Sequence, residues 1–466
     1  MNPELRRNLW LQFSPLRLVI APLSVGIVLL LVWLVSDGSH ELVAYAAEWY
    51  FLVLVLFWGT RRAADLVAEE VAGGTWDSQR MSALGAWQMT WGKFIGGISY
   101  VWYSAGFAFL ARLWAQSTGG VQPWQGDAGI QNLHILGIGL FGQAVSFLTG
   151  LVLLRKQVRR RRLGVTLSQF AGLGASIVVP GHLDIGIFSH ELPDIGWFGH
   201  NYPGPAFALV TLALFLAWAI FGAYRLMRVE LQFRCIPWAW AAFALFVMIY
   251  ADGLLYHVIQ EARHGFLAWC AMPFVLAHSM TYAAVFLEPK DVVRYRAFGA
   301  AAADGQLLRA LTLLPQWVPI FLVTLALGVG LSLFSDLDQL MDLPQAVAPG
   351  SGIWLLNMNS ALTIRSLPLV LVVYVLRDLL LVLFLNFRSR RGRADIMAFI
   401  WLSLAYFPAY GVLAKLNAGW VIAILAPYPP APALFSIAVA GSECAILAVL
   451  VLQRIRGAGQ FRPVAA

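Results

Sequence analysis

Twelve stretches of this chain are apolar over enough consecutive residues to cross a bilayer, and no other feature constrains its fold as strongly. A helix rises about 1.5 Å per residue, so a hydrocarbon core about 30 Å thick requires roughly 20 apolar residues. The first six runs lie at about 17–36, 42–60, 93–114, 131–154, 163–183 and 204–224. The second six lie at about 236–257, 265–287, 314–334, 366–386, 396–414 and 432–453. Lipid offers no hydrogen-bond partner, so each run is read as a helix that satisfies its own backbone. An all-α polytopic membrane protein is expected. Composition agrees: 60% of the 466 residues are hydrophobic and 12% are charged, against about 25% charged in a soluble domain. That excludes a soluble enzyme, a disordered chain and a nucleic-acid reader.

Charge sets the orientation, because cytoplasmic loops retain Lys and Arg. With the N-terminus inside, cytoplasmic segments carry 27 of the 32 basic residues, including Arg6, Arg7, Arg61, Arg62, Arg155–Arg162, Arg225 and Arg388–Arg393. Arg112, Arg263, Arg365 and Lys415 fall outside, and Arg377 lies within a span. Both termini are therefore expected in the cytoplasm, and the membrane is expected to be the cell's inner (cytoplasmic) one. The first run follows a basic start and lacks a small-residue cleavage site, so it is expected to be retained.

Two sequence echoes recur at one offset. Asp77-Ser-Gln79-Arg80-Met81-Ser-Ala-Leu84 returns as Asp304-Gly-Gln306-Leu307-Leu308-Arg309-Ala-Leu311, 227 residues later. Tyr202-Pro203-Gly-Pro205-Ala206 returns as Tyr428-Pro429-Pro-Ala-Pro432-Ala433. Each half begins and ends on the same side, so two parallel six-helix repeats are expected, 1–230 and 231–466.

About 30 residues separate the second span from the third, and the segment is not disordered in composition. Met81, Leu84 and Trp87 recur at helical spacing, as do Leu307, Leu308 and Leu311, which predicts short amphipathic helices at the cytoplasmic face. Gly73-Gly74 would end the preceding helix, and Asp77 suits the positive end of the next.

The order Glu69-Glu70, Gly74-Thr75, a short helix over about 77–86, then Trp91-Gly92-Lys93 resembles the permease subunits of ABC-type exporters with six helices per half. The Tyr-Pro-x-Pro entry to each last span and the stretch Asn2–Leu16, with Trp10, Leu11 and Phe13, are similar to that family's closing helix and interfacial elbow helix. The second half departs from the pattern, with Ala301-Ala302 in place of Gly-Thr and Arg296-Ala297 in place of the acidic pair. The resemblance implies a transport subunit that is not itself an enzyme. It implies two separate ATPase subunits as partners, with ATP and magnesium bound there and no cofactor on this chain. In agreement, no Gly-x-x-x-x-Gly-Lys-Ser/Thr motif occurs. The coupling surface would comprise Glu69, Glu70, Gly74, Thr75, Asp77, Gln79 and Arg80, with Asp304, Gln306 and Arg309 in the second half.

Three ionisable residues lie mid-span: Arg377, Asp378 and Glu443. Charges there cost about 2.5–3.5 kcal/mol on insertion scales, so they are buried and paired. They serve either as a polar contact in the pathway or as a structural ion pair, and the first half carries no counterpart in sequence. The outer segment with His182, Asp184, His190, Glu191, Asp194 and His200 matches no compact metal motif, and no metal site is expected. Asp336, Asp338 and Asp342 carry the alternative of a membrane-embedded transferase. A twelve-span secondary transporter is the other alternative, but the longest cytoplasmic segments here follow spans two and eight rather than six. The three cysteines, Cys235, Cys270 and Cys444, are too dispersed for a disulfide framework. The transported substrate is not legible.

Overall fold

The computed structural model describes residues 2–82, 84–156, 161–181, 193–233, 235–261, 265–334, 361–388, 394–416, 419–427 and 432–457. Among these, twelve helices are long and apolar enough to cross a membrane. The chain forms two compact units, Met1–Ile195 with His200–Cys235, and Gly196–Gly199 with Ile236–Ala466.

The first unit opens with α1 (Pro3–Gln12), started by Asn2, whose side chain accepts from the Glu4 amide, with Pro3 at the first helical position. The span α2 (Pro15–Val35) follows Ser14, another side-chain cap. It buries Ala21, Val25 and Leu29 on one face and exposes Leu23, Ile27, Leu30 and Leu34 on the other. That outward face is what lipid solvates.

The second span extends well beyond its apolar run. α3 (His40–Leu52), a π-helical stretch (Val53–Gly59) and α4 (Thr60–Ala72) form one unbroken rod. The wider π-turn frees backbone groups, and a polar side chain from α7 (Gly126–Arg155) meets one of them. Gln143 donates to the Val55 carbonyl at 2.8 Å and accepts from the Trp102 indole at 2.8 Å.

After α5 (Trp76–Arg80) comes α6 (Ala86–Thr118), a 33-residue helix that starts seven residues before the expected span and so draws Lys93 into its second turn. α7 packs on α4, on α8 (Arg161–Gly181) and on α9 (Gly204–Glu230). Small residues permit the α7–α8 approach: a Cβ on Gly142 would lie 2.2 Å from Ser176 Oγ, and one on Gly172 2.1 Å from Ser146 Oγ. α8 runs through Pro180, which sits in its last turn. Two three-residue strands, β1 (Ile195–Trp197) and β2 (His200–Tyr202), precede α9.

The second unit contains α10 (Trp238–Glu261), α11 (Gly265–Leu287), α12 (Val292–Ala303), α13 (Leu307–Leu313) and α14 (Trp317–Phe334). Then come α15 (Ala361–Arg388), α16 (Ala394–Leu404), a π-turn at Ala405–Ala409 around Pro408, α17 (Tyr410–Lys415), α18 (Gly419–Leu425) and α19 (Ala433–Gly457). α11 packs on α10 and α14, and α15 on α14 and α19. His182, Asp184, His190, Glu191, Asp336, Asp338, Asp342 and Tyr428–Ala431 lie outside the described residues.

Candidate functional site

The acidic pair of the first unit divides into two roles. Glu69 is half exposed and pairs with Arg62 at 2.7 Å. Glu70 turns inward, where its carboxylate receives Lys93, Arg7 at 3.1 Å and the Gln79 amide at 3.0 Å. Lys93 is 2% exposed. Its ammonium donates to Glu4 at 2.9 Å, to Glu70 and to Gln79, and lies 5.3 Å from the centre of the Trp76 ring. All three N–H donors are used, as a buried ammonium requires.

The Gly92-Lys93 pair thereby acquires a physical account. A Cβ on Gly92 would stand 2.7 Å from the Glu4 Cβ, so the missing side chain lets α1 lie against α6. Asn2 and Asn8 then donate to the Gln88 and Gly92 carbonyls at 2.6 and 3.3 Å. Lys93 completes the junction by joining α1 to the end of α4 and to α5.

Between α4 and α5 the backbone closes a Schellman turn. Gly74, at φ +69°, donates to Val71, and the Thr75 amide donates to Glu70. The second unit repeats this turn in detail: Gly305, also at φ +69°, donates to Ala302, and the Gln306 amide donates to Ala301. The structural match is Gly74 to Gly305, an offset of 231. Sequence identity places Asp304 opposite Asp77, but the turn places Gly305-Gln306 opposite Gly74-Thr75 and Ala300-Ala301 opposite Glu69-Glu70. Four residues of register separate the two readings, because side-chain identity over eight residues is weaker evidence than a backbone conformation that glycine adopts at little cost.

In the second unit this junction has different side chains. Glu288 bridges Arg294 at 3.1 Å and accepts from the Gln316 amide at 2.8 Å, while Arg294 donates to the Leu314 carbonyl at 3.1 Å. Burial and the Glu288 charge push the Tyr295 phenol up, and its oxygen accepts from the Trp317 indole at 3.0 Å. Lys290, almost fully buried, pairs with Asp395 at 2.6 Å.

Both junctions leave an exposed surface. On the first, Asp77 is largely exposed beside Arg80 at 3.3 Å, and Met81 is exposed. Arg80 also donates to the Glu230 carbonyl at the end of α9, at 3.1 Å. On the second, Leu307 and Leu308 are about three-quarters exposed, and Arg309 folds back onto Gln306 at 3.1 Å.

Arg377, Asp378 and Glu443 meet in the second unit. The guanidinium donates to Asp378 at 2.7 and 2.9 Å, to Glu443 at 3.3 Å, and to the Ile424 and Leu425 carbonyls at 3.1 and 3.0 Å. Those carbonyls lie at the C-terminal end of α18, where a helix has no intrahelical donors to offer, so Arg377 caps that helix end. The other Asp378 oxygen accepts from the Tyr282 and Tyr406 hydroxyls, each at 2.6 Å.

The first unit also has a buried ionic cluster, which the linear pattern does not reveal. Arg112, read from sequence as lying on the outer side, is 4% exposed within α6. It pairs with Glu48 of α3 and donates to Asn132 of α7 at 2.9 Å. The expectation that the first half has no counterpart to the mid-span charges of the second is thus corrected: Glu48 lies within the second apolar run, and its partner Arg112 sits 64 residues away, where a span was expected to be ending. Among the described residues no group of three or more His, Cys, Asp or Glu is placed to hold a metal ion. No protein-family model, curated protein or solved structure matches this chain.

Proposed function

We propose that the chain is the membrane subunit of an ATP-driven exporter, made of two parallel six-helix halves with both termini in the cytoplasm. ATP would be hydrolysed by two separate subunits docked at the junctions after α4 and α12. The observation that carries this reading is the repeated junction itself. In each unit an α-helix ends in the same Schellman turn, a short helix follows, and a spanning helix begins at the same distance from the glycine. The packing of α7 on α9 and of α15 on α19 gives the halves a further common feature.

The mechanics follow from rigidity. Lys93 fastens α5 to both α4 and α6, so a push on α5 moves two spans together. A closing ATPase pair would bias this rigid corner between two arrangements through its different affinities for them. The junction side chains differ between halves, so the two docked ATPases would not be gripped equally.

Two measurements test the reading. Cysteine labelling should place residues 77, 230 and 308 in the cytoplasm and residues 190 and 340 outside. Co-expression with a Walker-type ATPase encoded beside this chain should give a complex that Asp77→Lys combined with Leu308→Asp disrupts, without loss of the permease from the membrane. Transport that persists without any ATPase and follows an ion gradient would replace this reading with the secondary-transporter one.

A further inference from the structure

Asp252 is a mid-helix carboxylate with a buried oxygen, Oδ1, that has no hydrogen-bond partner among the described residues. Buried polar atoms are almost always satisfied, and an intramembrane carboxylate almost always has a counter-charge. Every other ionic cluster described above is closed; this one is open.

Its surroundings are aromatic. Tyr256 lies one turn on from Asp252, on the same face of α10. The Tyr256 ring meets Trp269 of α11 at 5.7 Å and Phe198 at 6.1 Å, and Phe198 meets Trp197 at 4.9 Å. Cys270, next to Trp269, lies within electrostatic reach of Asp252. The Gly196–Gly199 turn, part of the second unit, is fastened over α10. The Phe198 amide donates to Gly253 at 3.0 Å and the Trp197 indole to Tyr250 at 3.3 Å. A Cβ on Gly253 would stand 2.0 Å from Trp197 Nε1, so only glycine admits the indole. Phe198 is held at φ +47°, a conformation a bulky residue adopts only under constraint.

We propose that Asp252, with the rings of Trp197, Phe198, Tyr256 and Trp269, forms a recognition site for an organic ammonium cation. One carboxylate with several ring faces suits a cation that is large and weakly hydrated, because ring quadrupoles attract it without binding it as ligands. A hard metal ion would need several oxygens, which these residues do not supply. A quaternary ammonium group supplies the missing charge, and its methyl shell lies against the ring faces. The source is a soluble quaternary amine or the headgroup of a choline lipid. The inference adds a ligand class to the transport reading, and the site faces outward in the orientation proposed above.

The test uses the full purified chain in nanodiscs of phosphatidylglycerol, without any ATPase, so its failure leaves the exporter reading untouched. Intrinsic tryptophan fluorescence is titrated with choline and with 3,3-dimethylbutanol, its uncharged counterpart. A saturable change is expected with choline alone. Asp252→Asn should weaken it at least tenfold, and Tyr256→Leu should do so even if the first variant folds poorly. Nanodiscs of phosphatidylcholine separate the sources: loss of the choline response there identifies the lipid headgroup, and an unchanged response identifies a soluble amine. Equal responses to choline and 3,3-dimethylbutanol, undiminished binding in Asp252→Asn, or displacement of choline by equimolar potassium would each overturn the proposal.

Discussion

The junction after α4 and the junction after α12 share a backbone and differ in almost every side chain that holds it. Both close on a left-handed glycine with the same pair of hydrogen bonds. In the first, a buried lysine gathers carboxylates from α1 and α4; in the second, Glu288 and Arg294 tie the start of α12 to the start of α14. The first also grips a helix, α1, on its far side. A turn determined by glycine and local amides is thus preserved where the charges around it are not. Backbone geometry needs only one residue type at one position, whereas an ion cluster needs several residues to agree.

Removing the counter-charges of Lys93 should have the largest effect. Glu4→Ala with Glu70→Ala leaves a buried ammonium without a carboxylate, at a cost of about 3–5 kcal/mol. Thermal unfolding in detergent should fall accordingly, and adding Lys93→Met should recover much of the loss. An unchanged unfolding temperature in the double variant would show that the first junction is not clamped by charge. This also separates Glu70 from Glu69: Glu69→Ala alone, at a half-exposed pair, should cost under about 1 kcal/mol.

Next comes the cluster in the second unit. Asp378→Asn removes the main counter-charge of Arg377 and one acceptor of two tyrosine hydroxyls, and should destabilise by about 2–4 kcal/mol. Glu443→Gln, with a single contact at 3.3 Å, should cost clearly less. The reverse order in melting experiments would move the centre of that cluster from Asp378 to Glu443.

Gly74→Ala and Gly305→Ala should each cost about 1–2 kcal/mol, since a Cβ is disfavoured at positive φ. Nothing stands within 4 Å of a Cβ at either site, so the penalty is purely conformational and should be nearly equal. Unequal shifts would break the structural equivalence of the two turns.

The smallest effect on stability, under about 0.5 kcal/mol, is expected for Asp77→Ala and Arg309→Ala on the exposed surfaces. Their effect should instead appear as weaker retention of an ATPase in pull-down, greater at Asp77 if the first junction dominates.

Hydropathy alone determined that the chain crosses a membrane in helices, because burial in lipid depends on local composition and needs no partner. It also indicated that Arg377, Asp378 and Glu443 lie mid-span, since a charge inside an apolar run is visible in any order of folding. Span ends were less legible: Lys93 reads as a boundary, yet α6 begins at Ala86 because the lysine's charge is neutralised by residues 23 and 89 positions away. The pairing of Arg112 was hidden for the same reason, its partner Glu48 lying 64 residues earlier. The register between Gly74 and Gly305 depended on φ angles that no side-chain match expresses. Tertiary structure decided which carboxylates are neutralised internally, because pairing depends on where helices dock, and among the described residues none hydrogen-bonds the buried oxygen of Asp252.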